Sequence, residues 1–554
     1  MTDSLTIAIA QINPIVGDVD GNMVLLERFA ADAKADNADL VVTTELAASG
    51  YPPEDLVLKE MFQDRIEAAV KALAKTLKEK DLPAVLLGSP WRVDGKLYNA
   101  ALLLDNGDVK HVRLKHELPN YGVFDEVRVF TPGPLPGPIS FKGVRLGVMV
   151  CEDLWFPDVA ECLEESGAEL FISLNASPFE LDKVDVRLNI AMARVTETGL
   201  ASLYVNQVGG QDELLFDGGS FVLNPDYKMP VRAPFWEEAL VITNWSRGTD
   251  GWTCDDGHVQ ASLSREENIY GAMTIGLRDY VNKNGFPGVV IGLSGGIDSA
   301  LSAAVAVDAL GADKVLAVMM PSPYTSPESL EDAALCAEML GIRLEDVNIG
   351  PAMDAFNGML APIFTGRDAD ITEENIQART RGLILMAISN KLGHMVLTTG
   401  NKSEMSVGYS TLYGDMCGGY SVLKDVYKTA VFQVSHWRNA NCPTIAMGPE
   451  GTVMPERVIT KPPSAELRPD QKDEDSLPPY DDLDGILKAM IEEELSVDDV
   501  VARGFDVDTV KRIWRLLDRA EYKRRQAPPG VKITARAFGK DRRYPITNGF
   551  TKLI

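Results

Sequence analysis

Apolar residues in the first half of the chain follow two rhythms. LTIAIAQI from Leu5, DLVVTTEL from Asp39, AVLLGSP from Ala84, ALLLD from Ala101, VRLGVMVC from Val144, ELFISLN from Glu169 and SLYVNQV from Ser202 are short apolar runs that predict strands. MVLLERFAADAKA from Met23, DRIEAAVKALAKTLKEK from Asp64 and DVAECLEES from Asp158 repeat apolar positions at three- and four-residue spacing, which predicts helices. Strands this apolar, alternating with helices, imply a layered α/β domain around a buried sheet. From about residue 225 to 264 the pattern blurs into polar sequence, and NIYGAMTIGLRDYVNK from Asn268 opens a helix. A first domain over residues 1–245, a linker over 246–264 and a second domain over 265–554 are therefore expected.

The second half starts a new α/β series. GVVIGLS from Gly288, KVLAVMM from Lys314, LEDVNI from Leu344 and MVLTTGN from Met395 read as strands, separated by helical segments such as DSALSAAVAVDAL from Asp298. This repetition predicts a doubly wound parallel sheet, whose ligands bind beyond the carboxyl ends of the strands. KPPSAELRPDQKDEDSLPPYDDLD from Lys461 is rich in proline and acid, and composition alone predicts a disordered linker there.

Bulk properties narrow the chemistry. A chain of 554 residues exceeds what one core supports, and a net charge of −27 argues against a surface built to neutralise nucleic acid or to lie on anionic lipid. Small molecules are the expected partners, with no nucleic acid and no membrane. Six dispersed cysteines without a CxxC pair fit a reducing compartment, and no apolar stretch approaches the ~18–20 residues of a membrane span, so a cytoplasmic protein is expected. Five histidines without HExxH leave no basis for zinc-protease chemistry.

Gly292-Leu293-Ser294-Gly295-Gly296-Ile297-Asp298-Ser299 joins a strand to a helix. Consecutive small residues there expose backbone N–H groups, and the helix N-terminus adds partial positive charge, so the turn can hold pyrophosphate without a lysine. Asp298 suits Mg²⁺ bridging to a nucleotide. The same residues fit G-x-S-x-G, the nucleophile elbow of a hydrolase whose histidine would be His394 or His436, although Asp298 and Ser299 opening the helix argue against it. SGGIDS is similar to the signature loop of the ATP pyrophosphatase family, which splits ATP between its α and β phosphates and transfers AMP to a substrate oxygen.

TTGNKSEMSVGYSTLYGDMCGGYSVLKDVYKT from Thr398, ENIQARTRG from Glu374 and EYKRRQAPPG from Glu521 resemble NAD synthetase segments. That resemblance implies that Thr399 contacts ATP, that Glu404 sits at the metal and substrate junction, and that Lys424 approaches the phosphates. It also implies that Asn375, Arg379 and Lys523 hold the dinucleotide, and that the Lys461 segment, itself a motif of the family, is an ordered loop near the active site. Independently, Lys523, Arg524, Arg525, Lys532, Arg536, Lys540, Arg542 and Arg543 are opposed within their own stretch by Asp541 alone, a basic cluster suited to a polyphosphate substrate.

In the first half, Glu45, Lys115 and Cys151 form a set with its own chemistry; Glu45 and Cys151 each follow an apolar strand-like run. A cysteine attacks an amide as thiolate, a carboxylate can take its proton, and an ammonium stabilises both the thiolate and the oxyanion. The three motifs together resemble the nitrilase-type glutaminase domain with its Glu-Lys-Cys triad. That resemblance makes Glu126 the second glutamate and places Tyr51, Tyr121, Glu152, Ser177 and Lys183 against glutamine. Val129 departs from the pattern, where an aromatic residue is expected.

Taken together, nearly the whole chain resembles the glutamine-dependent NAD synthetases. The resemblance implies an α-β-β-α nitrilase-like sandwich followed by a Rossmann-like ATP pyrophosphatase domain. It implies that glutamine yields ammonia through a Cys151 thioester and that the AMP-activated carboxylate of nicotinate adenine dinucleotide is amidated to NAD. Mg²⁺ with ATP, no prosthetic group, and assembly as a homo-oligomer follow from the same resemblance. The rival readings are another ATP pyrophosphatase such as a GMP or asparagine synthetase, a GxSxG esterase, and a nucleotide-binding sensor with a vestigial triad.

Overall fold

The computed structural model describes residues 3–249, 251–469 and 471–550, and the chain divides into two compact units, Met1–Ser262 and Leu263–Ile554.

In the first unit, a seven-stranded sheet runs Gly251–Cys254, Ala239–Gly248, Ser4–Gln11, Leu40–Val42, Ala84–Val93, Lys96–Asp105, Asp108–Leu114 in spatial order. A six-stranded sheet runs Val231–Arg232, Phe221–Leu223, Ser202–Asn206, Leu170–Asn175, Val144–Val150, Ile139–Phe141. Alternate side chains explain how they stack. Leu5, Ile7 and Ile9 share one core with Val148, Val150 and Ile172 of the other sheet, while Ala8 and Ala10 face the helices Val19–Ala35 and Glu60–Glu79. On the far side, Met149 and Phe171 pack on the helices Pro157–Glu165 and Lys183–Thr198. The result is the expected α-β-β-α sandwich, with strands apolar on both faces because both faces are covered.

Residues 246–264, expected as a linker, are partly sheet. Ala239–Gly248 pairs antiparallel with Ser4–Gln11 and, through Trp245↔Cys254 and Ser246↔Thr253, with Gly251–Cys254. The hairpin closes one edge of the sheet, and among the described residues of 246–264 only Trp252 and Cys254 are buried hydrophobics, too few to show as a strand rhythm.

The second unit holds a five-stranded, wholly parallel sheet in the order Arg343–Asp346, Val315–Met319, Val289–Gly292, Met395–Thr398, Tyr420–Ser421. Strand order reverses between Val289–Gly292 and Met395–Thr398, which opens a crevice at their carboxyl ends. Helix Ile297–Leu310 is almost wholly buried, as its alanine-rich, all-round apolar sequence requires. Arg438 ties Lys428–Ala440 to it through Asp308, at 2.6 and 3.1 Å. A separate apolar cluster built from Leu483, Ile486, Val510, Ile513 and Leu517 receives Met405 and Val407, anchoring the short helix Lys402–Val407 that carries Glu404.

Candidate active sites

The strand Val144–Val150 ends directly at Cys151, whose φ of +48° is a left-handed conformation that costs a non-glycine residue ~1–3 kcal/mol. Cys151 is buried, and Glu45, Lys115, Glu152 and Glu126 all act electrostatically on its thiol. Lys115, following the strand Asp108–Leu114, donates to Glu45 Oε1 at 2.7 Å and to Glu126 Oε1 and Oε2 at 2.9 and 2.8 Å. Asn99 Nδ2 donates to Glu45 Oε1 at 2.7 Å, the Ala176 amide donates to Glu45 Oε2 at 3.1 Å, and Tyr51 donates to Glu126 Oε1 at 3.0 Å. The side chain of every triad member is thus held from at least two elements or buried at a strand end.

Burial sets the protonation pattern. It pushes the Cys151 thiol well above its usual range, with Glu45 adding to the rise and Lys115 opposing it. It also pushes Glu126 up to about 7, against the pull of Lys115. Burial pulls Lys115 down, yet Glu126 and Glu45 outweigh it and hold the ammonium above its ordinary value. A resting neutral thiol beside a carboxylate and a fixed ammonium is an arrangement in which proton removal can be coupled to attack.

Around this cluster, the exposed Tyr121 donates to Glu152 Oε1 at 2.9 Å, and Lys183 Nζ lies over the Phe124 and Trp155 rings at 5.4 and 5.6 Å. Ser177 is buried; its amide donates to Asn206 Oδ1 at 3.0 Å and its hydroxyl accepts from Arg187 Nε at 3.0 Å. Arg187, which sequence reasoning missed, also grips Asp217 Oδ1 and Oδ2 at 2.7 and 2.8 Å and the Ser177 and Pro178 carbonyls at 2.8 Å. The helix carrying it, Lys183–Thr198, mixes charge into its buried face and so shows no clean apolar stripe.

In the second unit, Gly292, Leu293, Ser294, Gly296, Ile297, Asp298 and Ser299 line a cavity of about 380 Å³, together with Thr399 and Glu404. Gly295 has φ +77°, and a Cβ there would lie 2.2 Å from the Ser329 carbonyl oxygen, so this position admits glycine alone. Ser294 Oγ is 3.1 Å from Ser299 Oγ, and Ser299 donates to the Gly296 carbonyl at 2.9 Å. Ser294 is thus bonded within its own loop rather than to a histidine, and neither His394 nor His436 lines the cavity, which removes the hydrolase elbow.

Asn401 Nδ2 donates to Asp298 Oδ1 at 2.9 Å, and the Lys428 ammonium bonds Asp298 Oδ2 while lying 3.4 Å from Glu404 Oε1. Burial pushes Glu404 up to about 8, with Lys428 pulling against it and Asp298 and Asp473 adding to it. Tyr409 and Tyr480 donate to Asp473 at 3.2 and 2.9 Å. The oxygen donors Asp298 and Glu404 already accommodate one cation, the Lys428 ammonium, so their chemistry fits a hard ion. Among the described residues no group of three or more His, Cys, Asp or Glu is arranged to hold a metal, so water and nucleotide phosphates would complete its shell.

The segment from Lys461 is an ordered wall of this cavity. Pro462, Pro463, Ser464, Ala465, Glu466 and Leu467 line it, and Glu466 accepts from the Ser326 and Ser329 hydroxyls at 2.8 Å each. Gln377 Nε2 adds a bond to the Leu467 carbonyl at 2.9 Å. Composition suggested disorder because its side chains are polar; here those side chains find fixed partners.

The carbon-nitrogen hydrolase family matches residues 6–249, and the NAD synthase family matches residues 269–527. The chain is 50% identical to the glutamine-dependent NAD(+) synthetase of Rhodobacter capsulatus over 548 residues, covering 99% of each chain. It is 46% identical to that of Acinetobacter baylyi over 547 residues, again covering 99% of each. The chain belongs to the glutamine-dependent NAD(+) synthetases. Among solved structures, the glutamine-dependent NAD+ synthetase from Acinetobacter baumannii in complex with ADP is 44% identical, covers 99% of both chains and superposes with a TM-score of 0.79. The glutamine-dependent NAD(+) synthetase from Cytophaga hutchinsonii, at 23% identity and a TM-score of 0.83, shares the fold.

Two expectations differ from the observed placement. Lys424 is buried outside the cavity lining, and Lys428, four residues on, is the cation facing Asp298 and Glu404. Both lysines stand in KDVYK, and only the turn into helix Lys428–Ala440 decides which one reaches the crevice. The basic cluster is largely absorbed by structure. Glu521 accepts from Arg524, Arg525 and Arg542 at 2.8, 3.1 and 3.3 Å, Lys532 pairs with Asp541 at 2.9 Å, and Arg536 pairs with Glu494 at 2.6 Å. Glu494 and Glu521 lie outside the Lys523–Arg543 window, so the imbalance was one of sequence proximity.

The three residues expected on the dinucleotide converge on one segment. Asn375 Oδ1 accepts from Thr411 Oγ1 at 3.0 Å, Arg379 Nε donates to the Leu412 carbonyl at 3.2 Å, and Lys523 Nζ donates to the Gly408 and Ser410 carbonyls at 2.7 and 2.6 Å. None of them lines the 380 Å³ cavity, whereas Arg381, which sequence reasoning passed over, does.

Proposed function

We propose that the chain amidates nicotinate adenine dinucleotide to NAD, using glutamine as nitrogen source and converting ATP to AMP and pyrophosphate. The observation that carries this reading is the Glu45–Lys115–Cys151 cluster, a buried amide-cleaving constellation in a chain whose second unit bears the SGGIDS loop on an open crevice.

Glu45 takes the Cys151 proton, and the thiolate attacks the glutamine carboxamide carbon. Lys115 stabilises the oxyanion, and Glu45 returns the proton to departing ammonia. Water then cleaves the thioester to glutamate. Glu126 fixes Lys115, while Tyr51, Tyr121, Ser177, Glu152 and Lys183 orient glutamine, the last two matching its ammonium and carboxylate in charge.

In the second unit, the nicotinate carboxylate attacks the α-phosphorus of ATP and displaces pyrophosphate. The Ser294–Ser299 loop, Thr399 and Lys428 hold the phosphates; Asn375, Arg379 and Lys523 shape the dinucleotide site. Ammonia attacks the acyl adenylate and expels AMP. Asp298 and Glu404 would hold Mg²⁺, which neutralises phosphate charge when bound. The ADP named for the Acinetobacter baumannii relative supports a nucleotide in this unit. Exposed Met359, Ile363, Ile371 and Leu383 support assembly as a homo-oligomer. Among the described residues no helix is long and apolar enough to cross a membrane, and a cytoplasmic setting fits the free cysteines.

The deciding experiment replaces Cys151 with alanine and follows NAD formation with glutamine and with ammonium. Loss with glutamine and retention with ammonium is expected; equal loss in both would make the cysteine structural, and equal retention would remove the first unit as ammonia source.

A further inference from the structure

Cys151 and Lys115 sit at the ends of strands in different sheets, Val144–Val150 in the six-stranded one and Asp108–Leu114 at the edge of the seven-stranded one. No β ladder joins them, and the apolar core between the sheets is not directional enough to fix one side chain against another. One carboxylate bridges that gap.

Asp153 Oδ1 accepts from the His116 and Glu117 amides, both at 2.9 Å, immediately after Lys115. Asp153 Oδ2 accepts from the Val150 amide at 3.0 Å, immediately before Cys151, and from Arg113 Nη2 at 3.0 Å. Arg113 completes the clamp from two residues before Lys115, donating through Nε to the Val148 carbonyl at 2.9 Å. Asp153 is fully buried and its two oxygens take four donors, which leaves it no part in proton transfer and makes it an anchor with fixed geometry on both sides.

We propose that Asp153 is a positioning residue that sets the alignment of the Cys151 thiol with the Lys115 ammonium by clamping the backbone next to each. The need for a carboxylate follows from the donors: all four are N–H groups, and an asparagine would turn an NH₂ against two of them. This proposal rests on the glutaminase reading of the first unit.

The test is Asp153→Asn in the full chain, read in two ways. With glutamine, kcat is expected to fall about a hundredfold, as misalignment of reacting groups by about an ångström does. The KM for glutamine stays within about threefold, because the substrate contacts are elsewhere, and ammonium-driven NAD formation is unchanged. Alkylation of Cys151 by iodoacetamide, followed against pH, is expected to shift its midpoint upward as the thiolate loses its cation. Arg113→Lys, which keeps the charge but not the two-pronged reach, is expected to shift the same midpoint by less. A wild-type alkylation profile in either soluble variant, or equal loss of glutamine- and ammonium-driven activity, would overturn the proposal. Alkylation reads the thiol whatever amide is cleaved, so a wild-type chain inert to glutamine counts against the proposed function and leaves the clamp to be judged on the profile.

Discussion

Lys115 Nζ lies 2.7 Å from Glu45 Oε1, and solvent reaches neither side chain. With Glu126 on its other side at 2.8 Å, the ammonium is the shared counter-ion of two buried carboxylates. Its chemical and structural roles are therefore joined.

Lys115→Met is expected to lower glutamine-driven NAD formation by about a thousandfold or more, since it removes the group that stabilises the oxyanion. It also leaves Glu45 and Glu126 without their cation, a loss of about 3–5 kcal/mol when a buried pair is broken. Thermal unfolding of the first unit should move down accordingly, while ammonium-driven activity measured below that transition persists.

Stability of the first unit should depend on pH through Glu126. Its carboxyl is raised from an ordinary 4.5 to about 7, so the folded chain binds more protons than the unfolded one between those values. Its contribution is complete below the lower value and lost as pH rises through the upper one. Glu126→Gln should flatten the pH dependence of unfolding across that window; an unchanged slope would contradict the raised carboxyl.

Gly295→Ala introduces a Cβ 2.2 Å from the Ser329 carbonyl oxygen at φ +77°. The backbone must move, and the phosphate loop with it. NAD formation is expected to fall about a hundredfold with either nitrogen source, while glutamine hydrolysis in the first unit is spared. Retained synthesis would show that the loop does not carry the nucleotide.

Lys428 and Lys424 make a paired comparison. Lys428→Met removes the ammonium facing Asp298 and Glu404, and ATP-dependent turnover should fall about a hundredfold or more with both nitrogen sources. Lys424→Met, outside the cavity lining, is expected to leave the KM for ATP within about threefold. The reverse ranking would restore the expectation drawn from sequence.

The first-half strands read from Leu5 to Ser202 and both flanks of the phosphate loop were legible because their apolar rhythm is strong. The edge strand Gly251–Cys254 was not, since among the described residues of 246–264 only Trp252 and Cys254 are buried hydrophobics. Glu45, Lys115 and Cys151 could be named because each stands at the end of a predicted strand or in a recognisable motif. Arg187, Arg381 and Lys428 could not, because their partners are distant in sequence.

The sequence by itself determined the two α/β series and the strand ends that carry chemistry. Tertiary structure decided which charges face a site and which are consumed in holding it. Arg524, Arg525, Arg536 and Arg542 are drawn to Glu494 and Glu521, the polar Lys461 segment becomes a cavity wall, and Asp153 locks two sheets at Cys151. Hydrophobic rhythm is a local property that a single strand or helix displays, whereas the pairing of charges depends on which strand ends the fold brings within about 3 Å of each other.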